Sequence, residues 1–108
     1  MKYVLNISSA AENDIREIID YFDNTLKNPG AANSFLSALK EQAAIISDNP
    51  FVAAEITEPS IKRLHLRKIM VRKYMMFYEI ANNDVNIIRI LHGRRQWESI
   101  LFDEHQNS

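Results

Sequence analysis

Apolar residues recur at helical spacing over two stretches in the first half of the chain, from about 10 to 27 and from about 29 to 47. The first apolar stripe consists of Ala11, Ile15, Ile18, Ile19, Phe22 and Leu26. The second stripe consists of Ala32, Phe35, Leu39, Ala43 and Ile46. Such spacing predicts two amphipathic helices, each with one apolar side. Because only Asn28-Pro29-Gly30 separates them, they are expected to pack as an antiparallel hairpin.

Polar residues mark the expected start of each helix. Ser9 and Glu12 have the S-x-x-E spacing of a capping box, in which the two side chains accept from free backbone amides. Asn28 precedes Pro29, which suits a first helical turn because the missing amide of proline would be unpaired there. The first helix is therefore expected to be capped by Ser9 and the second by Asn28.

From residue 61 onward the apolar residues recur at every second position, which is the period of a strand. Three successive strands are predicted: one from 61 to a turn within 68–72, one over 74–80, and one over 85–92 after a turn at 81–84. One face of this sheet is expected to pack on the helices through Leu64, Leu66, Ile88 and Ile90. The opposite face is expected to present a row of cations formed by Arg63, His65, Arg67 and Arg89.

These elements predict an α+β fold. An N-terminal strand at 3–7 is followed by the helical hairpin, a three-stranded antiparallel sheet and a short C-terminal tail, in a two-layer sandwich. With 108 residues, 46% of them hydrophobic, the chain is long enough for a single core. One domain is expected over 1–102, with the apolar residues 97–102 docked back on it and residues 103–108 frayed.

Charge is distributed unevenly along the chain. Residues 1–60 carry four basic and nine acidic side chains, whereas residues 61–108 carry nine basic and five acidic ones. The net charge of −1 hides this asymmetry. A basic surface suited to an anionic partner is therefore expected on the second half, with mutual neutralisation of the two halves as the alternative.

Several classes of function have no support in the composition. The chain has no cysteine, so disulfides and thiolate metal sites are excluded. The three histidines, His65, His92 and His105, lack ligand spacing, and two glycines cannot make a phosphate loop. No cofactor and no metal are therefore predicted. No apolar run approaches the roughly 20 residues of a membrane span, and no signal peptide is recognisable, so a cytoplasmic protein is expected.

A series of short motifs runs along residues 2–101. The first helix reads Ala11-x-x-Asp14-Ile15-x-x-Ile18-x-x-Tyr21. The later motifs are Ala31, Phe35 and Leu39 in the second helix, Pro50 after it, Arg63-Leu64, the strand 74–78, and Ile90-Leu91-His92-Gly93-Arg94-Arg95. Each is weak alone, but in this order and spacing they resemble the RelE/ParE superfamily of toxins from bacterial toxin–antitoxin pairs, and the ParE-like branch more closely.

The resemblance implies one of two activities. ParE-like members poison DNA gyrase and have no established catalytic residues, whereas RelE-like members cleave messenger RNA on the ribosome. Both are held inactive by a cognate antitoxin protein. A third interpretation is a non-toxic relative that has kept the fold as a binding module.

RNA cleavage requires proton transfer and stabilisation of the phosphorane charge. If the chain is an RNase, the resemblance implies catalytic roles for Arg63, His65 and Arg95. Met75 and Leu101, however, stand near positions where RelE-like enzymes carry an arginine and a tyrosine. Two of the residues that the resemblance implies for RNA cleavage are thus absent, which favours the hypothesis that the chain poisons gyrase. In either case, the residues expected to contact the target or nucleic acid are Arg63, His65, Arg67, Arg89, Arg94 and Arg95.

Overall fold

The N-terminal half forms a short strand and two antiparallel helices. The structure is a computed structural model that describes residues 2–93 and 95–106. For residues 105 and 106 it describes the backbone alone. Strand β1 spans Val4–Ile7, helix α1 spans Ser9–Asp20, and helix α2 spans Pro29–Asp48. Between the helices, Tyr21–Thr25 form one π-helical segment. The predicted helical hairpin is confirmed, although its first helix ends earlier than its apolar spacing indicates.

The caps explain where the two helices begin. Ser8, not Ser9, caps α1: its hydroxyl accepts from the Ala11 amide at 3.0 Å and donates to the Ile88 carbonyl at 2.7 Å. The predicted capping box of Ser9 and Glu12 is therefore wrong: the cap lies one residue earlier, and Ala11, three residues after Ser8, has no side chain that could complete a box. The bond from Ser8 to Ile88 also ties the start of α1 to the sheet. Asn28 caps α2 as predicted, since its side chain accepts from the Ala31 amide at 3.1 Å.

The second half of the chain forms most of a four-stranded sheet. The strands are β2 (Arg67–Val71), β3 (Tyr74–Ala81) and β4 (Asp84–His92), and the sheet order is β1-β4-β3-β2. Strand β3 is antiparallel to both β2 and β4. Strand β1 pairs with β4 in parallel and makes a fourth strand. The α+β class is thus confirmed, while the sheet is mixed where three antiparallel strands were expected.

The prediction of a strand starting at residue 61 is wrong. Lys62–Leu64 form a 3₁₀ turn, and His65 has a left-handed backbone with φ of 53°. An extended strand cannot contain such a residue. The sheet begins at Arg67, and Arg72 (φ 58°) and Lys73 make the turn from β2 to β3 without a glycine.

The helical hairpin covers one face of the sheet. Buried side chains of both helices meet buried side chains of three strands in one cluster. Its buried members are Ala11, Ile18, Phe35, Ile46, Val71, Met76, Tyr78, Val85, Ile87 and Ile90. Of the four residues predicted to pack on the helices, Ile90 does so, whereas Leu64, Leu66 and Ile88 pack in a second cluster.

The second face of the sheet is also apolar and is covered. Helix α3, Trp97–Gln106, places Trp97 and the fully buried Leu101 against Phe77 and Leu91, which alternate with the residues of the first cluster. This cluster also contains three buried residues of the segment before β2: Ile56, Ile61 and Leu66. The docking of the apolar tail is thus observed, in the form of a helix that runs to residue 106. The fraying expected for residues 103–108 stays a prediction. Asn107 and Ser108 lie outside the described residues.

Candidate functional site

The predicted row of cations does not form, because Arg89 is used inside the molecule. Its guanidinium donates two hydrogen bonds to the Asp14 carboxylate, at 2.7 and 2.8 Å, and also pairs with Glu104 of α3. Asp14 is only 6% exposed and accepts a further bond from the Ile90 amide at 2.9 Å. Arg89 therefore joins α1, β4 and α3, and its charge is compensated. The sequence contained a signal for this pairing: Asp14 lies at helical spacing from the apolar residues Ala11 and Ile18, on the side of α1 that is buried.

Arg67 is likewise engaged within the fold. Its guanidinium donates to the Ala53 carbonyl at 2.5 Å, lies 3.7 Å from the Glu55 carboxylate, and stacks 5.1 Å from the centre of the Phe51 ring. Only 15% of the side chain is exposed. Arg67 thus holds the loop after α2 against the sheet.

Arg63 and His65 lie on the surface beside this loop. Both are exposed, and the His65 Nδ1 atom is 2.8 Å from a carboxylate oxygen of Glu55. The Arg63 guanidinium lies 6.0 Å from the centre of the Phe102 ring. These two residues are close in the chain and share an exposed region, which is the part of the predicted site that the structure brings together.

Arg95 lies just after the C-terminal end of β4. It is exposed, and its amide donates to the His92 carbonyl at 3.0 Å. Arg94 lies outside the described residues. His92 packs edge-on against the Tyr74 ring, with the ring centroids 5.3 Å apart.

A cavity that the sequence did not predict opens at one end of the sheet. It is a cavity of about 860 Å³ where β4 ends and β3 begins, next to the π-helical segment and the first turns of α2. We call it the sheet-end cavity. It is lined by Tyr21, Phe22, Leu26, Ala31, Ser34, Phe35, Arg72, Lys73, Tyr74 and His92.

Local backbone features shape this cavity. The π-helical segment leaves Tyr21 and Leu26 about half exposed at its rim. Such segments are often found at functional sites. On the other side, the Gly93 amide donates to the Lys73 carbonyl at 2.9 Å. A Cβ atom at residue 93 would lie 3.2 Å from that oxygen, so glycine permits the close approach.

Aromatic rings form the apolar lining. The Tyr74 ring lies edge-on to Phe35 and Phe22, with centroids 5.3 and 6.5 Å away. Burial raises the pKa of the Tyr74 phenol above its ordinary value, and the nearby Tyr21 raises it further. Tyr74 therefore stays protonated at neutral pH and is a hydrogen-bonding group, not a base.

The arrangement suits binding better than catalysis. Arg72 and Lys73 are exposed cations beside apolar rings, and no carboxylate is among the described residues that line the cavity. No group of three or more His, Asp or Glu residues that could hold a metal is found in the described ranges. Within the same residues, no helix is both long and apolar enough to span a membrane.

The fold and these features define a class of small α+β proteins with a helical hairpin on a four-stranded sheet, and sequence comparison gives the family. A profile described as the ParE toxin of the type II toxin–antitoxin system parDE matches residues 5–97. The chain therefore belongs to the ParE toxin family, and the predicted placement in the RelE/ParE superfamily is confirmed. No curated protein sequence matches the chain.

Two solved structures have a similar fold. One is the chromosomal ParDE system from P. aeruginosa, with a TM-score of 0.66 and 17% identity over 84% of this chain and 96% of that one. The other is the RelBE2 toxin–antitoxin complex from Mycobacterium tuberculosis, with a TM-score of 0.59 and 21% identity over 85% of this chain and 99% of that one. Both likenesses concern the fold.

Proposed function

We propose that this toxin acts in the cytoplasm by poisoning DNA gyrase and is held inactive by a cognate antitoxin. Membership of the ParE family supports the toxin class, and the similar structures come from toxin–antitoxin systems. The choice of gyrase over the ribosome is supported mainly by one observation: within residues 2–93 and 95–104, the side chains that RNA cleavage needs are not brought together.

Two positions carry apolar residues where proton transfer or charge stabilisation would be required. Met75 is partly buried on β3, and Leu101 is fully buried in the cluster under α3. Neither side chain can donate or accept a proton. In addition, Arg89 is compensated by Asp14 and Glu104, so it is not available to a phosphate.

The remaining RNase candidates do not converge. In the sheet register, His92 pairs with Tyr74, and Arg67 pairs with Tyr78, four residues further along β3. At about 3.3 Å per residue, those rows are about 13 Å apart. His65 lies just before Arg67, and Arg95 lies just after His92. The two RNase candidates His65 and Arg95 therefore lie at opposite ends of this part of the sheet. A shared active site needs groups within hydrogen-bond reach of one substrate.

The direct test adds the purified, folded chain to gyrase supercoiling and cleavage reactions. We expect loss of supercoiling and accumulation of trapped cleavage complexes. A parallel reaction contains programmed ribosomes with a labelled message, which should stay intact. Codon-dependent cutting of the message without any effect on gyrase would overturn the proposal.

The exposed arginine Arg95 tests whether the end of β4 is part of the working surface. We expect Arg95→Ala to reduce growth inhibition and gyrase poisoning, and Arg94→Ala is predicted from the sequence to do the same. Arg16→Ala is a matched control, since Arg16 is an exposed cation on α1 outside the basic segment. Full activity of a folded Arg95→Ala chain would exclude this surface.

One observation favours the second candidate function, ribosome-dependent RNA cleavage. The His65 imidazole is exposed and oriented by Glu55 at 2.8 Å, with the Arg63 guanidinium close in the chain. A histidine oriented by a carboxylate can serve as a general base. His65→Ala should abolish cutting of the labelled message by programmed ribosomes if this second candidate function is right, and unchanged cutting would exclude His65 as the base.

A non-toxic binding module is the third possibility. Strong induction of the chain alone in a bacterial host separates it from both toxin activities. We expect colony counts to fall sharply. Unchanged counts with soluble, folded chain would favour the binding module.

A further inference from the structure

The edge of the sheet at β1 is open to solvent. In the part of the chain that the structure describes, β1 pairs with β4 on one side and has no strand on the other. Most edge strands are protected by lysine, proline or a bulge, because their free N–H and C=O groups can pair with another chain. Val4–Ile7 contain no charged residue and no proline, and Val4 and Ile7 are 59% and 42% exposed. A further strand can therefore pair with this edge.

The hydrogen bonds of β1 show which of its backbone groups face outward. The amides of Val4 and Ser8 donate to carbonyls on or next to β4, at 2.9 and 3.0 Å. The backbone groups of successive residues point to opposite sides of a strand. Positions 4, 6 and 8 therefore face β4, whereas the N–H and C=O groups of Leu5 and Ile7 face away from it.

The start of this edge is closed by helix α2. Tyr3 has the same orientation as Leu5, but its amide donates to the Ser47 carbonyl at 2.8 Å, and its carbonyl accepts from the Ser47 hydroxyl at 2.9 Å. The open edge is thus short and consists of the backbone groups of Leu5 and Ile7. A partner strand has to match these two residues.

We propose that a second copy of this chain pairs with the open edge, so that two β1 strands lie antiparallel about a twofold axis in one eight-stranded sheet. Leu5 of each copy would lie opposite Ile7 of the other, and the two Asn6 residues would meet at the axis. In an antiparallel sheet, a hydrogen-bonded pair of residues exchanges two N–H···O bonds. The two Leu5–Ile7 pairs therefore form four hydrogen bonds without a change in either copy.

Self-complementarity is the reason for choosing a second copy as the partner. A twofold interface requires that one surface patch match itself. The register that joins the outward backbone groups also places the apolar side chain of Leu5 against that of Ile7, and cross-strand apolar pairs stabilise a sheet. It places the Asn6 amide against its own copy, and an amide has both donors and an acceptor.

The Asn6 side chain is already oriented within a row of polar side chains. It donates to the Asn86 Oδ1 atom at 2.9 Å, and the Asn86 amide donates to a Glu79 carboxylate oxygen at 3.0 Å. This row uses one N–H group of Asn6, and the second N–H group and the oxygen can pair with Asn6 of the other copy. A continuous polar row would then cross the dimer axis.

Charges at the ends of the paired strands are also complementary. In this register, Lys2 lies opposite the first turn of α1 of the other copy, which carries Glu12. Lys2 is exposed, and its amine lies 3.9 Å from the Asp48 carboxylate, so it can reorient at little cost. The contact occurs twice because of the symmetry, and opposite charges at the rim favour the correct pairing.

The twofold arrangement leaves the candidate functional surfaces open. Strand β1 pairs with the first half of β4, whereas the sheet-end cavity and Arg95 lie at the C-terminal end of β4. In the dimer the two β4 strands point in opposite directions. The two cavities therefore lie at opposite ends of the eight-stranded sheet.

The first test is sedimentation equilibrium of the folded wild-type chain at concentrations up to about 500 µM. Because four hydrogen bonds and a few apolar pairs make a small interface, we expect a weak dimer with a Kd on the order of 100 µM or lower. A chain that stays monomeric over this range would overturn the proposal.

Matched variants separate this edge from other exposed apolar positions. Ile7→Lys places a charge on the edge and should weaken dimerisation at least about tenfold. Ile45→Lys is the control, since Ile45 is also 42% exposed but lies on α2. Ile7→Pro removes an outward N–H group that does not bond to β4, so it should weaken the dimer while circular dichroism shows a folded chain. Equal dimerisation of Ile7→Lys and Ile45→Lys would contradict the proposed edge.

A single cysteine tests the register, since the chain has none of its own. At a non-hydrogen-bonded antiparallel pair the Cα atoms lie about 4.5 Å apart, which is within the range of a disulfide. Asn6→Cys should therefore give a covalent dimer on mild oxidation. Val4→Cys is the control, because the two copies of residue 4 would lie about 13 Å apart along the strands. Failure of Asn6→Cys to crosslink, or equal crosslinking of both variants, would overturn the proposal.

Discussion

Arg89 and Lys73 belong to the same basic stretch of sequence, but the structure uses them in opposite ways. Arg89 lies under α3 and donates to Asp14 at 2.7 and 2.8 Å, so its charge is compensated inside the protein. Lys73 lies on the turn between β2 and β3 and is exposed at the sheet-end cavity. The comparison shows that local charge density along the chain does not reveal which cations are available to a partner.

The difference arises from what covers each side of the sheet. The face that was expected to present cations is apolar, and α3 covers it. A cation on a covered strand needs a partner, because an unpaired buried charge is very costly. The turn at the sheet end is not covered, so Arg72 and Lys73 need none. The following predictions test this contrast, beginning with the largest expected effect.

Loss of Arg89 should destabilise the fold strongly. Arg89→Met leaves the buried Asp14 carboxylate without its cation, and we expect the free energy of unfolding to fall by about 4 kcal/mol. The measurement is chemical denaturation followed by circular dichroism. Arg72→Met is the control, since an exposed cation should leave the denaturation midpoint nearly unchanged. Equal effects of the two substitutions would show that Arg89 is not an internal structural charge.

Truncation of Leu101 should weaken the attachment of α3. Because Leu101 is fully buried, Leu101→Ala leaves a cavity between α3 and the sheet and should cost about 3 kcal/mol. Ser99→Ala, an exposed change on the same helix, is the control. Hydrogen exchange of the α3 amides would localise the effect. If those amides were protected equally in both variants, α3 would not depend on this contact.

Tyr78 should make a smaller, pH-dependent contribution. Its buried hydroxyl donates to the Pro50 carbonyl at 2.7 Å, so Tyr78→Phe should cost about 1 kcal/mol at neutral pH. Burial raises the pKa of the Tyr78 phenol above 10.0, although the Arg67 charge opposes the shift. The folded state therefore holds this proton more tightly than the unfolded state.

The sign of the pH effect follows from that difference. The stabilisation is complete below pH 10, the ordinary pKa, and is lost as the pH rises from there through the folded-state pKa. Denaturation midpoints measured from pH 8 to 11 should fall more steeply for wild type than for Tyr78→Phe. Since Tyr74 also has a raised pKa, some decline should persist in the variant. Parallel curves would show that Tyr78 does not contribute.

Sequence periodicity predicted the helical hairpin and the strands β3 and β4 well, because each has a continuous apolar pattern with a recognisable end. It failed over residues 61–66. Apolar and polar residues alternate there by chance, while the backbone forms a 3₁₀ turn followed by the left-handed residue His65. Neither feature has a distinctive residue signature. The capping serine was misplaced for a similar reason: Ser8 and Ser9 are equally good caps, and the contact of Ser8 with Ile88 distinguishes them.

The candidate site was predicted less completely than the fold. Arg63, His65 and Arg95 are exposed, whereas Arg67 and Arg89 contact internal partners and Arg94 lies outside the described residues. The sheet-end cavity was missed because its lining comes from three distant parts of the chain. Tyr21, Ser34 and Lys73 carry no shared motif, so only their approach in space identifies them as one site.

Residue order alone was thus sufficient for the α+β class, the hairpin and the superfamily, since these depend on periodicity and on local motifs. Which cations stay exposed depended on the packing of the whole chain. Helix α3 and the loop before β2 cover one face of the sheet, which makes Arg67 and Arg89 structural and leaves the cations of the β2–β3 turn exposed. Burial and ion pairing are properties of neighbours distant in sequence, and a charge pattern along one strand cannot contain them.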